Sequence, residues 1–284
     1  MFESKANHAW YLTATKGCRK ARLCGSLSFC PSVGAYILAF IYIFSVSFSR
    51  GCDKIGQKEG VTMGKCLIFC AGGFEGLIEP AEGSYIIAAD GGLTYVNQLG
   101  LTPNAIIGDF DSLDYIPTGA EVYPVEKDDT DGMLAVKLGL KKGFRDYLVY
   151  GSLDGPRLDH TVANYQLLQY LCNHGAQGTL VGLSFCATVI RNGELRFPGG
   201  KEGDISVFCM GSDARGVTIE GLYYELHHGV LTPGFPLGVS NHFTEKSARI
   251  AVKEGSLLVL WRKAAGLPER MKNPLLGEGG RAKP

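Results

Sequence analysis

The sequence predicts an α/β fold: a doubly wound, mostly parallel sheet domain followed by a smaller all-β sandwich domain. Three observations carry this. From Lys65 to about Ile190 short β-like runs alternate with amphipathic helical stretches, the pattern of parallel strands joined by helices. After Leu195 the helical pattern stops, and short strands follow one another between turns. Composition is that of a folded globular chain, 45% hydrophobic and 20% charged over 284 residues.

Taken in order, the predicted strands of the first part are Lys65–Ala71, Tyr85–Ala89, Ala105–Ile107, Glu121–Val125, Tyr147–Tyr150, Gly178–Val181 and Ala187–Arg191. Each is a short apolar or β-branched run bounded by turn residues. Between them the spacing predicts helices over Leu93–Leu99, over Asp131–Lys142 closed by Gly143, and over His160–Cys172 closed near Gly175. In the second part strands are expected at Asp204–Cys209, Gly216–Glu220, Leu222–Leu226, Ala248–Val252 and Ser256–Trp261. This divides the chain into an α/β domain over 63–192 and a β domain over 193–263.

The ends of the chain read differently. In residues 1–62, Lys16, Arg19, Lys20 and Arg22 precede an apolar run over 33–49, roughly seventeen residues and so at the lower limit for a membrane-spanning helix. Met63-Gly64-Lys65 directly precedes the first clean strand, so we expect the working protein to start at Met63 and to be cytoplasmic. A membrane role is expected only if the extension is retained. Residues 264–284, rich in Gly, Pro, Lys and Arg, are expected to be disordered. Lys plus Arg and Asp plus Glu both total 28, and no basic stripe interleaved with aromatics is present, which argues against a nucleic-acid partner. Nine cysteines, an odd number without tight spacing, make a poor disulfide or zinc framework.

In an open α/β sheet, ligands bind beyond the carboxyl ends of the strands, and that is where the polar clusters fall. The second strand ends in Asp90-Gly91-Gly92, and the third in Gly108-Asp109-Phe110-Asp111-Ser112. The fourth leads to Lys127-Asp128-Asp129-Thr130-Asp131, and the fifth to Gly151 and on to Arg157, Asp159 and His160. Residues i and i+2 of an extended segment share one side, so Asp109 and Asp111 can converge. Carboxylates placed so close are stable around a cation, and a hard cation with open sites suggests phosphate chemistry. Each cluster also has a bland reading: Asp90-Gly91 as a turn, Asp128 to Thr130 as a helix cap, Asp159 as another cap. Four such coincidences at one rim favour the chemical reading.

These residues, in this order, resemble the thiamine pyrophosphokinase family over Lys65 to Lys263. The matching pieces are Asp90-Gly91-Gly92, Gly108 to Ser112, Lys127 to Asp131, Gly155 to Asn164 and, in the β domain, Gly238-Val239-Ser240-Asn241. The resemblance implies a homodimer that transfers the pyrophosphoryl group of ATP to the hydroxyl of thiamine, with Mg²⁺ as cofactor. It implies Asp109, Asp111 and Asp131 as metal ligands, with Asp90 supporting the metal or the nucleophile. Lys127, Asp128, Thr130, Gly151, Arg157, Asp159, His160 and Asn164 would hold the nucleotide, and Ser240 and Asn241 thiamine. Two departures stand out: Pro156 where the family has glycine, and His242 where an acid often follows Ser-Asn.

Overall fold

The computed structural model describes residues 64–76, 78–110, 115–122, 124 and 128–272. The extension 1–62 with its apolar run, Met63, Asp111, Lys127 and the tail from 273 lie outside the described residues.

The first element, β1 (Cys66–Phe69), explains why the sheet forms. All four of its residues are buried, as expected of a strand covered on both faces. It pairs in parallel with β2 (Tyr85–Ala89) on one side and with β5 (Asp146–Tyr150) on the other. β3 (Ala105–Gly108), β4 (Glu121–Val122) and β6 (Gln177–Val181) extend the parallel array. Alternation along β1 then sorts the two faces. Cys66 and Ile68 join the core beneath α2 (Asp131–Lys141) and α3 (Leu158–Asn173), which contribute Ala135, Val136, Leu167, Leu168 and Leu171. Leu67 and Phe69 face the opposite core, with Leu93 and Val96 of α1 (Gly92–Gln98). Helices on both faces make the sheet doubly wound.

Beyond β6 the topology departs from strict alternation. β7 (Phe185–Arg191) is antiparallel to β6, because residues 182–184 are too few for a crossover helix. β7 then pairs with β13 (Glu254–Arg262), so the α/β part and the β-rich part share one sheet rather than standing as separate bodies. The β-rich part adds β8 (Glu194–Phe197), β9 (Asp204–Glu220), β10 (Leu226–Leu231), β11 (Gly238–His242), β12 (Ala248–Ala251) and β14 (Glu269–Lys272). The strand order is β14-β8-β12-β9-β13-β7-β6-β5-β1-β2-β3-β4, with β10 and β11 also on β9.

Three sequence expectations change here. The two predicted strands 204–209 and 216–220 are one strand, β9, which pairs with β13 in its first half and with β12 in its second. Gly211, in the expected gap, and Gly216 adopt φ of 85° and 63° and bend the strand without ending it. Leu222–Leu226 is not a strand: Leu222 makes a single bridge to Phe243, and the chain bends before β10 begins. At the preceding Gly221 a Cβ would lie 2.0 Å from the Ser247 carbonyl oxygen, so the chain must turn there. The tail, expected to lack structure from Ala264, instead continues through a 3₁₀ turn (Lys263–Ala265) into β14, which pairs with β8. Ala265 is buried, and the Trp261 indole N–H donates to Gly266 O at 2.8 Å, tying this segment down.

Candidate active site

Because β1, β2, β3 and β5 run parallel, their carboxyl ends open onto one rim, and a cleft of about 700 Å³ lies there. It collects residues far apart in sequence: Asp90 after β2, Asp109 after β3, Gly151 after β5, Asp128 to Gly132 at the start of α2, and Arg157, His160 and Asn164 around the start of α3. Nine of the sequence-predicted residues therefore meet: Asp90, Asp109, Asp128, Thr130, Asp131, Gly151, Arg157, His160 and Asn164.

The backbone places the acids. Asp90 and Phe110 both adopt left-handed conformations, φ 48° and 58°, which are costly for residues with side chains and cluster at functional sites. Phe110 is buried, so its ring anchors the turn that carries Asp109. A Cβ on Gly108 would sit 3.0 Å from Asp90 Cα, so glycine lets the two strand ends approach. The Asp90 N–H donates to Ile107 O at 2.7 Å, locking the pair of strand ends together. Across the cleft, the Gly72 N–H donates to Gly151 O at 2.8 Å, and a Cβ at Gly151 (φ 63°) would meet Cys70 O at 2.3 Å.

The start of α2 combines both readings of its acids. Thr130 caps the helix, its hydroxyl accepting from Met133 N–H at 3.2 Å. Asp129 pairs with Lys137 at 2.6 Å. Asp131, the first helical residue, is half-buried in the cleft wall. Its field is felt by Cys70: burial first, then the negative charges of Asp131 and Asp90, push that thiol up to about 12. Cys70 and Asp131 are therefore close, and the thiol stays neutral.

On α3, Asn164 donates to Ser152 O at 2.8 Å and is fixed against the end of β5. Arg157 grips Asp159, its Nη2 lying 2.6 Å from the carboxylate and its Nε 3.0 Å. That hydrogen bond first, and the guanidinium charge with it, hold the Asp159 carboxyl down at about 2. Asp159 does not line the cleft, whereas Arg157 does. Ser240 and Asn241, on β11, do not line it either. Sequence reasoning passed over Cys70 and Gly72, although Ala-Gly-Gly directly after an apolar strand is the same signal that marked the other strand ends.

The charge balance of the cleft is lopsided: the described lining residues include five aspartates and one arginine. Among the described residues no three His, Cys, Asp or Glu side chains form a ready-made metal cage. The donors are carboxylates with room for a substrate beside them, which suits a hard cation held by one or two acids, waters and phosphates.

Comparison with known proteins adds to this geometry. A family model described as thiamin pyrophosphokinase, catalytic domain, matches residues 80–179. A second, described as thiamin pyrophosphokinase, vitamin B1 binding domain, matches residues 194–257. The two ranges together take in more than half of the chain. The crystal structure of thiamine pyrophosphokinase from Bacillus subtilis is 25% identical, with a TM-score of 0.61 over 70% of this chain and 98% of that one. A thiamin pyrophosphokinase family protein from Enterococcus faecalis (24% identical, TM-score 0.61, 70% and 99% covered) and yeast thiamin pyrophosphokinase (14%, 0.54, 75% and 94%) share the fold. No curated protein sequence matches the chain.

Proposed function

The chain belongs to the thiamin pyrophosphokinase family and is an enzyme of thiamine diphosphate synthesis, and from that premise we propose that the acidic cleft binds ATP together with Mg²⁺. The lining of five aspartates against one arginine carries this reading, because a polyphosphate enters such a cleft only with added positive charge.

Asp109 and Asp131, with Asp111 two residues beyond Asp109, would hold the ion. When bound, Mg²⁺ neutralises phosphate charge as the transferred group moves. The chain itself does the positioning. The glycines at 72, 151 and 155 let phosphate oxygens approach the backbone. The Arg157 fork, which grips Asp159 here, offers the same two-pronged contact to a phosphate, so the nucleotide and Asp159 compete for it. Pro156 cannot donate an amide hydrogen, so Arg157 carries the phosphate contact of that loop. The thiamine hydroxyl oxygen attacks the β-phosphorus, the bond from that phosphorus to the α-phosphate oxygen breaks, and AMP leaves. The hydroxyl proton passes to a carboxylate of the cleft, a role we give to half-buried Asp90, which lies outside the metal set.

Ser240 and Asn241 do not line this chain's own cleft, which supports a homodimer in which two copies together complete the site. As part of this reading we place the enzyme in the cytoplasm. Among the described residues, no helix is long and apolar enough to cross a membrane. Incubation with ATP, Mg²⁺ and thiamine tests the reading: AMP and thiamine diphosphate should form in equal amounts, and chelation of the ion should stop both. AMP without thiamine diphosphate, or no nucleotide consumed, would overturn it.

A further inference from the structure

We propose that Asp154 is a positioning residue for pyrophosphoryl transfer: it touches no substrate, and it braces the two glycine-bearing loops of the cleft against the turn between β6 and β7. The proposal rests on the reading that the cleft takes ATP with Mg²⁺, and deepens it by assigning what keeps the phosphate-facing backbone in place.

The loop after β5 is anchored unevenly. Its first residues are tied to α3: Asn164 donates to Ser152 O at 2.8 Å, and the Thr161 hydroxyl donates to Leu153 O at 3.4 Å. Its last residues, Gly155-Pro156-Arg157, run along the cleft, and Pro156 has no amide hydrogen with which to fix them. Asp154 stands between the two parts. Ser152 and Gly155 line the cleft on either side of it, whereas Asp154 does not. Its carboxylate accepts instead from the Leu183 N–H in the β6–β7 turn, at 2.5 Å. A hydrogen bond to an ionised acceptor is among the stronger kinds.

Three segments meet at this residue. The Gly73 N–H donates to Asp154 O at 3.3 Å, beside the bond from Gly72 N–H to Gly151 O. A Cβ on Gly73 would lie 3.0 Å from both Asp154 Cβ and Leu183 Cδ1, so the loop after β1, the loop after β5 and the β6–β7 turn pack at one point. The turn is itself fixed. Gly182 N–H donates to Phe185 O and Lys263 N–H donates to Ser184 O, both at 2.9 Å. The Lys263 ammonium also donates to Glu75 O at 3.0 Å, which steadies the loop after β1. An antiparallel turn thus serves as the fixed point on which both glycine loops hang. Groups that meet a reacting phosphate must be held within about 0.5 Å of their productive place, which a brace of this kind supplies.

The test uses the full chain, with KM for ATP and for thiamine measured separately. Binding of Mg²⁺ and ATP is followed by calorimetry, and amide hydrogen exchange by mass spectrometry. Asp154→Ala should raise the ATP KM and Kd about fivefold or more, the size of one lost charge-assisted hydrogen bond, and leave the thiamine KM little changed. Exchange over residues 151–157 should quicken in the same variant before any nucleotide is added. Asp154→Asn keeps an acceptor oxygen and should restore most of the ATP affinity. An asparagine variant as impaired as the alanine one would show the charge acting directly on the nucleotide or its ion, and would overturn the positioning role. Gly182→Ala approaches from the other side, since its methyl group would fall 2.2 Å from Asp154 Oδ2 and displace the carboxylate. It should match Asp154→Ala, and the combined variant should be little worse than either alone. An unchanged ATP Kd in Asp154→Ala overturns the proposal, and so does an unchanged exchange pattern. A wild-type protein that binds no nucleotide would instead defeat the reading of the cleft, while the exchange arm would still decide whether Asp154 braces the loop.

Discussion

The two halves of this sheet place their side chains by opposite means. At the carboxyl ends of β1, β2, β3 and β5, the main chain does the placing: glycines at 92, 108 and 151 allow backbones to touch, and Asp90 and Phe110 accept left-handed turns. In the β-rich half a buried side chain does it, with the Asn241 carboxamide gripping the backbone of an otherwise irregular segment. The first device aims rigid carboxylates at one point and suits charge neutralisation. The second holds a segment without regular structure in place and leaves its two tyrosines in solvent.

Substitutions should separate the two devices by size of effect. Gly92→Ala puts a methyl group 2.0 Å from the Phe69 carbonyl oxygen, a main-chain collision that side-chain motion cannot relieve. It should cost about 3 kcal/mol or more, read by denaturant unfolding, and impair activity through misplacement of Asp90. A loss under about 1 kcal/mol would mean that backbone contact does not set this rim. Asn241→Ala should cost about 1–3 kcal/mol, since it strands the backbone polar groups of Tyr224 in a part-buried setting. Thr130→Ala removes a helix cap and should cost about 1 kcal/mol. The smallest effect concerns thiol chemistry. Burial raises the Cys66, Cys70 and Cys172 thiols to about 12 and Cys186 to about 11, so at pH 8 they are protonated. Iodoacetamide at pH 8 should leave these four unlabelled in the native enzyme and label them after unfolding, as read by mass spectrometry. Rapid native labelling of Cys70 would show a cleft floor more open and less crowded by acids than described.

The same contrast decides what was legible in the sequence. The parallel strands were readable because residues such as Cys66 to Phe69 are apolar throughout and end in glycine or aspartate, so strand and rim announce themselves together. The β-rich half was less readable. β10 exposes three of its six residues and β11 three of five, each with two exposed neighbours in a row, so neither shows the alternation that marks a half-buried strand. The stretch Leu222–Leu226 was expected as a strand, but its tyrosines are exposed and its backbone is held by a residue seventeen positions away. Among the cleft residues, Asp128, Thr130 and Asp131 all line the cleft while Thr130 also caps the helix, so the bland and the chemical readings of this stretch hold together. The Arg157–Asp159 pair was not foreseen, since two surface side chains meeting two residues apart leave no mark in the pattern.

Turnover of Asp131→Asn is the most direct test of the acid cleft. The substitution removes one negative charge at nearly constant shape, so the thermal midpoint should stay within a few degrees. Formation of thiamine diphosphate should fall by about 10² to 10³ or more, the loss expected when one group stabilising the charge of a transition state is removed. Near-normal turnover in a folded Asp131→Asn protein would contradict the account.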